Sequence, residues 1–185
     1  MEFKTDALVL KATDYKENDK LLTLFTPSKG KVTAGIRGVR KRGAKLSFAA
    51  QPFCFAEYVL AEKGGSYTVT AAYLYDGFYS LRTDIARYYA ACSVLEICNA
   101  LLVEEGESEA VFIAAVEALK GLALTEGDAA ELLLSFSLTA LHQSGYMIDL
   151  DGCGICGGEV KGNAYFDFEA GYFTCSDCAS GVRAS

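Results

Sequence analysis

The chain has 185 residues, of which 51% are hydrophobic and 22% charged, a balance that excludes a disordered tail and allows one good core or two small domains sharing one. The net charge of −7 argues against a polyanionic partner, but it is unevenly spread. Residues 1–87 carry 14 Lys and Arg against 9 Asp and Glu, a balance of +5, whereas residues 88–185 carry 3 against 15, a balance of −12.

Up to about residue 78 the hydrophobic period is two. Segments 5–10, 21–25, 31–37, 52–60 and 67–73 have strand composition, and turn signals at 27–30, 42–43 and 63–66 separate them. Five short strands in under 80 residues predict a small closed or nearly closed barrel, because closure removes vulnerable sheet edges. On the third segment Val32, Ala34 and Ile36 share one face, which would line the interior, leaving Lys31 and Arg37 on the wet one.

From about residue 81 the period becomes helical. Ile85, Tyr88, Tyr89, Cys92, Leu95, Glu96 and Asn99 recur at helix spacing, a second helix is predicted from Ser108 to about Leu124, and a third from Asp128 to Ser144 with Gly145 as its left-handed cap. The most apolar stretch, Tyr88 to Val103, is interrupted by Glu96 and Asn99 and is too short and polar to cross a bilayer. It reads as a buried helix. With no secretory signal at Met1–Lys4, the expectation is a cytoplasmic protein without a membrane partner. No Pro- or Ser-rich linker divides strands from helices, so the two should pack together.

No acid occurs between Asp19 and Glu57, and that window holds Lys20, Lys29, Lys31, Arg37, Arg40, Lys41, Arg42 and Lys45. Cations on one face without acids suit a phosphate backbone, and all of these except Lys20 are candidate nucleic-acid contacts. The competing reading is a solvated loop that protects an edge strand from aggregation. Gly35, Gly38 and Gly43 suit adjustable backbone contacts better than base-specific readout. Aromatics are plentiful, but a barrel this small needs most of them as filling, and none stands out as a base-stacking residue.

Seven cysteines fall into two groups. Cys54, Cys92 and Cys98 lie in apolar patterns and read as small buried hydrophobes. Cys153-x-x-Cys156 and Cys175-x-x-Cys178, eighteen residues apart, have the spacing of a zinc site, and 164–168 with 171–173 look like a hairpin that brings the pairs together. Four thiolates leave no open coordination position, so the metal would be structural. Disulfides are disfavoured beside three further unpaired cysteines, and a redox motif would need a βαβ setting. An iron–sulfur cluster stays open as an alternative, although the bacterial cysteine run is missing.

No phosphate-binding loop is present, no Ser-His-Asp set assembles, and no compact acidic cluster marks a nuclease. His142, the single histidine, is explained by its place near a helix end. The expectation is a non-enzyme. The alternative reading is a zinc-stapled protein-interaction scaffold without DNA binding, and a thiol oxidoreductase is a distant third.

Taken together, these residues resemble the RecO family of bacterial recombination mediators. The resemblance rests on Ala7–Leu10, Asp14-Tyr15, 18–26, Gly30-Lys31, 35–40, Gln51-Pro52-Phe53, Leu81-Arg82, Gly145-Tyr146, Leu150, the two cysteine pairs with Gly157, and Gly171-Tyr172-Phe173. It implies an α+β protein with an N-terminal five-stranded OB-fold barrel (1–79), an α-helical domain (80–148) and a four-cysteine zinc module packed on that domain (149–185). It further implies binding of single- and double-stranded DNA and annealing of complementary strands. The implied partners are RecR and single-stranded-DNA-binding protein in loading RecA, at the cytoplasmic nucleoid. Arg37 and Arg40 match basic positions of the family's OB-fold segment. Three departures accompany the match: Met147-Ile148 where the family often has proline, an unusually acidic C-terminal half, and only a few residues after Cys178 where family members usually continue into another helical stretch.

Overall fold

The computed structural model describes residues 1–102, 106, 108–124, 127–146 and 152–182. Its strands are β1 (Glu2–Tyr15), β2 (Asp19–Thr26), β3 (Gly30–Ile36), β4 (Phe55–Lys63) and β5 (Ser66–Asp76). They close a barrel in the order β1-β2-β3-β5-β4, with β3 and β5 parallel and β4 returning antiparallel to β1. This is an OB-fold. A three-residue 3-10 turn, Phe48–Ala50, lies in the long β3–β4 connection.

Strand β1 explains how barrel and helices meet. Ala7, Leu8, Val9 and Leu10 are all buried, an unbroken run instead of an alternation, because both faces of the strand are covered. Ala7 and Val9 face the barrel interior with Leu22, Leu24, Val32, Ala34, Ile36, Tyr58 and Leu60. Leu8 and Leu10 join Phe25 and Phe53 in a second core shared with the helices. Register shifts between Val9 and Lys11, where Val9 exchanges backbone hydrogen bonds with Phe53 and Cys54.

Three helices follow: α1 (Ile85–Leu101), α2 (Glu109–Ala123) and α3 (Ala129–Gln143). Asp84 caps α1 by accepting from the Arg87 N–H at 3.1 Å, and Asp128 caps α3 through the Ala130 N–H at 2.6 Å. Gly145, at φ 83°, follows the end of α3 in the left-handed conformation the sequence suggests. Phe112 of α2 locks the bundle to the barrel, its ring 5.2 Å from Phe25 and 5.9 Å from Phe55. Residues Met1–Ser144 thus form one compact unit.

The face that α1 buries differs from the expected one. Ile85 is 76% exposed and Tyr89 65%, Glu96 and Asn99 are exposed, and Cys92 is only half-buried. The buried stripe is Arg87, Ala90, Ala91, Val94, Leu95 and Cys98. Alanines at the centre let α2 and α3 approach closely, which pushes the bulkier side chains to the rim. Arg87 is buried but satisfied, donating to the Leu122 carbonyl at 3.0 Å and the Gly127 carbonyl at 2.8 Å.

Gly145–Ser185 form a second compact unit. Its hairpin pairs β6 (Ala164–Asp167) with β7 (Tyr172–Cys175), and α4 (Ser176–Val182) follows directly. Asp167 shapes the hairpin turn by accepting from the Glu169 and Ala170 N–H groups, each at 2.9 Å. No described helix is long and apolar enough to cross a membrane. The acidic run at Glu104, Glu105 and Glu107, and the Met147-Ile148 and Leu150 positions of the family match, lie outside the described residues.

Candidate nucleic-acid interface and metal centre

Alternation on β3 is as expected: Val32, Ala34 and Ile36 are buried, while Thr33 and Arg37 are exposed. The chain then leaves the barrel into the basic loop, which folds back onto the β1–β2 turn. Gly38, at φ 67°, donates its N–H to Asp19 Oδ1 at 2.8 Å, and the Arg40 N–H bonds the Asn18 carbonyl at 3.1 Å. The Arg40 side chain donates to the Lys16 and Glu17 carbonyls and pairs with Asp14 at 3.2 Å. Loop and turn therefore form one ridge.

The seven candidate cations separate into two groups. Lys31 Nζ donates to the Asn99 carbonyl near the end of α1, Lys29 Nζ sits 5.4 Å over the Phe3 ring, and Arg40 holds the turn. These three are partly committed to the fold. Arg37, Lys41, Arg42 and Lys45 are exposed, and their side chains make no hydrogen bond or ion pair among the described residues. They leave four cations available to an anion. Lys11 and Lys16, exposed on β1 and at its end, escape a search confined to the acid-free window. The neighbouring Asp14 is what hides them in sequence, and in the fold Arg40 and Lys20 pair with it.

The four C-terminal cysteines converge. Their sulfurs all lie within 4.8 Å of one another, with Cys156 Sγ 4.0 Å from Cys175 Sγ. Tetrahedral zinc with bonds of about 2.3 Å requires sulfurs roughly 3.8 Å apart, so the cluster has metal-site dimensions and is too open for disulfides. The first knuckle closes through the Gly157 N–H to the Cys153 carbonyl at 2.7 Å, with Gly157 at φ 68°. Gly154 donates to the Phe173 carbonyl at 2.8 Å, and a Cβ there would land inside the Tyr172 ring. That contact joins knuckle to hairpin.

The thiols divide in chemistry as they do in position. Backbone N–H groups of Cys156, then Cys175, aimed at the Cys153 sulfur lower its pKa to about 6. Cys178 is pushed up to about 12, first by its hydrogen bond with Cys175 and then by burial. One thiolate forms readily and discourages its neighbour, a conflict that a bound cation removes. Cys98 is pushed up to about 12 by burial, and burial raises Cys54 and Cys92 as well. Those three are inert packing groups by comparison.

Against this geometry stand the comparisons. The family model described as Recombination protein O N terminal matches residues 1–78, and Recombination protein O C terminal matches residues 82–185. This chain belongs to the RecO family. It is similar to the DNA repair protein RecO of Clostridium novyi, 34% identical over 176 residues that cover 95% of this chain and 69% of the relative. The RecO of Desulforamulus reducens is 32% identical over 179 residues (96% and 69%), and that of Myxococcus xanthus 34% over 187 (98% and 74%). The boundary between the two RecO models falls at the 3-10 turn Tyr79–Thr83, where the barrel hands over to the helices.

Proposed function

We propose that this RecO-family chain is a DNA-binding recombination mediator in DNA repair, and not an enzyme. It binds single- and double-stranded DNA through the OB-fold's basic ridge and anneals complementary strands. With RecR it helps RecA load onto strands covered by single-stranded-DNA-binding protein, at the cytoplasmic nucleoid. Residues 1–79 supply the DNA surface, 80–148 the helical domain, and 149–185 a module holding one structural zinc ion on Cys153, Cys156, Cys175 and Cys178.

The observation that carries this reading is the set of cations unpaired among the described residues, Arg37, Lys41, Arg42 and Lys45, on a ridge braced against the β1–β2 turn. Their fields add at one edge of an OB barrel and persist despite the chain's net charge of −7. Annealing requires positioning and charge neutralisation, with no nucleotide, which agrees with a sequence lacking a phosphate-binding loop.

The test is binding of fluorescent single- and double-stranded oligonucleotides across a salt series. Four phosphate contacts predict a log–log slope of about −3 on single strands. Arg37→Glu/Arg42→Glu should weaken binding at least about tenfold and flatten the slope. Arg40 is a poorer choice for reversal, because its guanidinium braces the turn and a carboxylate there would face Asp14. Negligible binding by folded, metal-loaded protein at low salt would instead favour a protein-interaction scaffold. Metal analysis should find one zinc per chain.

A further inference from the structure

The outer face of β1, β2 and β3 continues from the basic ridge. Lys11 lies beside Thr23 and Thr33, Thr13 beside Leu21 and Gly35, and Tyr15 beside Asp19, with Arg37 leaving β3 just beyond. The β3 end of the middle row is low. Gly35 has no side chain, and a Cβ there would meet nothing nearer than the Tyr67 carbonyl at 3.9 Å. Four residue steps along the strand take Lys11 to Tyr15, about 13 Å. That length accommodates roughly three or four stacked nucleotides.

Tyr15 stands at the ridge end of this face, and 45% of it is exposed. Among the described residues its ring packs on no other aromatic ring and its hydroxyl has no hydrogen-bond partner. Lys16 Nζ lies 5.1 Å over the ring, so a base that stacks on that face displaces the ammonium towards its flanking phosphate. The backbone that carries the ring is also held in place. The next residue, Lys16, has φ 54°, and Arg40 bonds the Lys16 and Glu17 carbonyls while pairing with Asp14.

Other exposed tyrosines of the barrel lack this setting. Tyr75 donates to Asp6 at 3.0 Å and packs on Phe55, and Tyr73 shares its surface with Lys4, which Glu57 neutralises at 2.8 Å. Asp6 there has no cation partner among the described residues, whereas Asp14 beside Tyr15 pairs with Arg40 and Lys20. At the opposite end of the track Lys11 shares a groove with Glu96 and Asn99 of α1, so a phosphate path ends there.

We propose that the outer face of β1–β3 is a single-strand track on which Tyr15 stacks an unpaired base, with Lys16, Arg37 and Lys11 holding the flanking phosphates. This deepens the DNA-binding reading and rests on it, naming the ligand class of that surface. A duplex keeps its bases stacked within itself and offers Tyr15 no free π-face, so it engages the ridge cations alone. Tyr15 is thus the residue that sets single strand above duplex.

The experiment compares Tyr15→Leu, Tyr15→Phe and the unaltered chain on single-stranded and duplex oligonucleotides of equal length at fixed salt. Tyr15→Leu should bind single strand about 5- to 100-fold more weakly while duplex binding changes less than about twofold. Tyr15→Phe, which keeps the ring, should restore single-strand binding. Photocrosslinking of the unaltered chain to a 5-iodouracil oligonucleotide should map to Tyr15. Undiminished single-strand binding by Tyr15→Leu, or an equal loss on both ligands, overturns the track while leaving the ridge intact. Absence of DNA binding by the unaltered chain overturns the DNA reading and the track together.

Discussion

A buried guanidinium with two carbonyl partners leaves little latitude at Arg87. Its bonds to Leu122 and Gly127 close the space between the start of α1 and the end of α2. Arg87→Leu keeps bulk but strands both carbonyls, and should lower the unfolding free energy by about 3 kcal/mol, read as a shifted denaturant midpoint at constant slope. The metal cluster makes a sharper demand. Gly154→Ala drives a methyl into Tyr172, so the variant should retain well under one metal ion per chain after dialysis. Protons compete with the metal for thiolates, so acidification must release it. Backbone N–H groups lower the Cys153 thiol to about 6, so this ligand is poised to give up its proton to a metal at neutral pH. Metal release, followed with a chromogenic chelator, should therefore rise as pH falls and reverse on neutralisation. These residue-level features were unevenly legible. Cysteine spacing announces its own geometry, whereas Tyr15 looks like barrel filling until the turn beside it is seen to be braced by Arg40.

At the scale of elements, strand period and helix caps were plain in the chain. Asp84 and Asp128 accept from the first turns of α1 and α3, and the glycines at turns have positive φ where the sequence punctuates. What the pattern hid is where one element covers another. The apolar run in β1 reads as a short strand, yet the strand spans Glu2–Tyr15, because β2 and β4 pair its two edges and the helices cover one face. The rotation of α1 was hidden likewise, since alanine contributes little to a hydrophobic pattern but decides how close a neighbouring helix can come. Phe112 makes the shared core testable. Phe112→Ala removes a ring wedged against Phe25 and Phe55 and should cost about 3–5 kcal/mol, with barrel and helices still melting in one transition.

Across the whole molecule, the division into Met1–Ser144 and Gly145–Ser185 predicts unequal dependence on metal. Among the described residues the smaller unit has a hairpin of two four-residue strands and one short helix, too little apolar surface to hold itself without its cluster. Chelation should therefore raise amide hydrogen exchange throughout residues 152–182 while β1–β5 and the buried parts of α1 and α2 keep their protection. The charge asymmetry belongs to this scale too. Outside the basic window the chain is net negative, which on the DNA-binding reading favours one docking mode over indiscriminate coating.

The two-sided burial of β1 has a consequence for the chain as it emerges from the ribosome. Every strand of the barrel is synthesised before α2, so the barrel can close while Leu8, Leu10, Phe25 and Phe53 still wait for the helices that cover them. During that interval the nascent protein carries a greasy flank on an otherwise finished module. A fragment cut at residue 79 would keep that flank permanently, and should self-associate where the longer 1–144 piece stays monodisperse by light scattering.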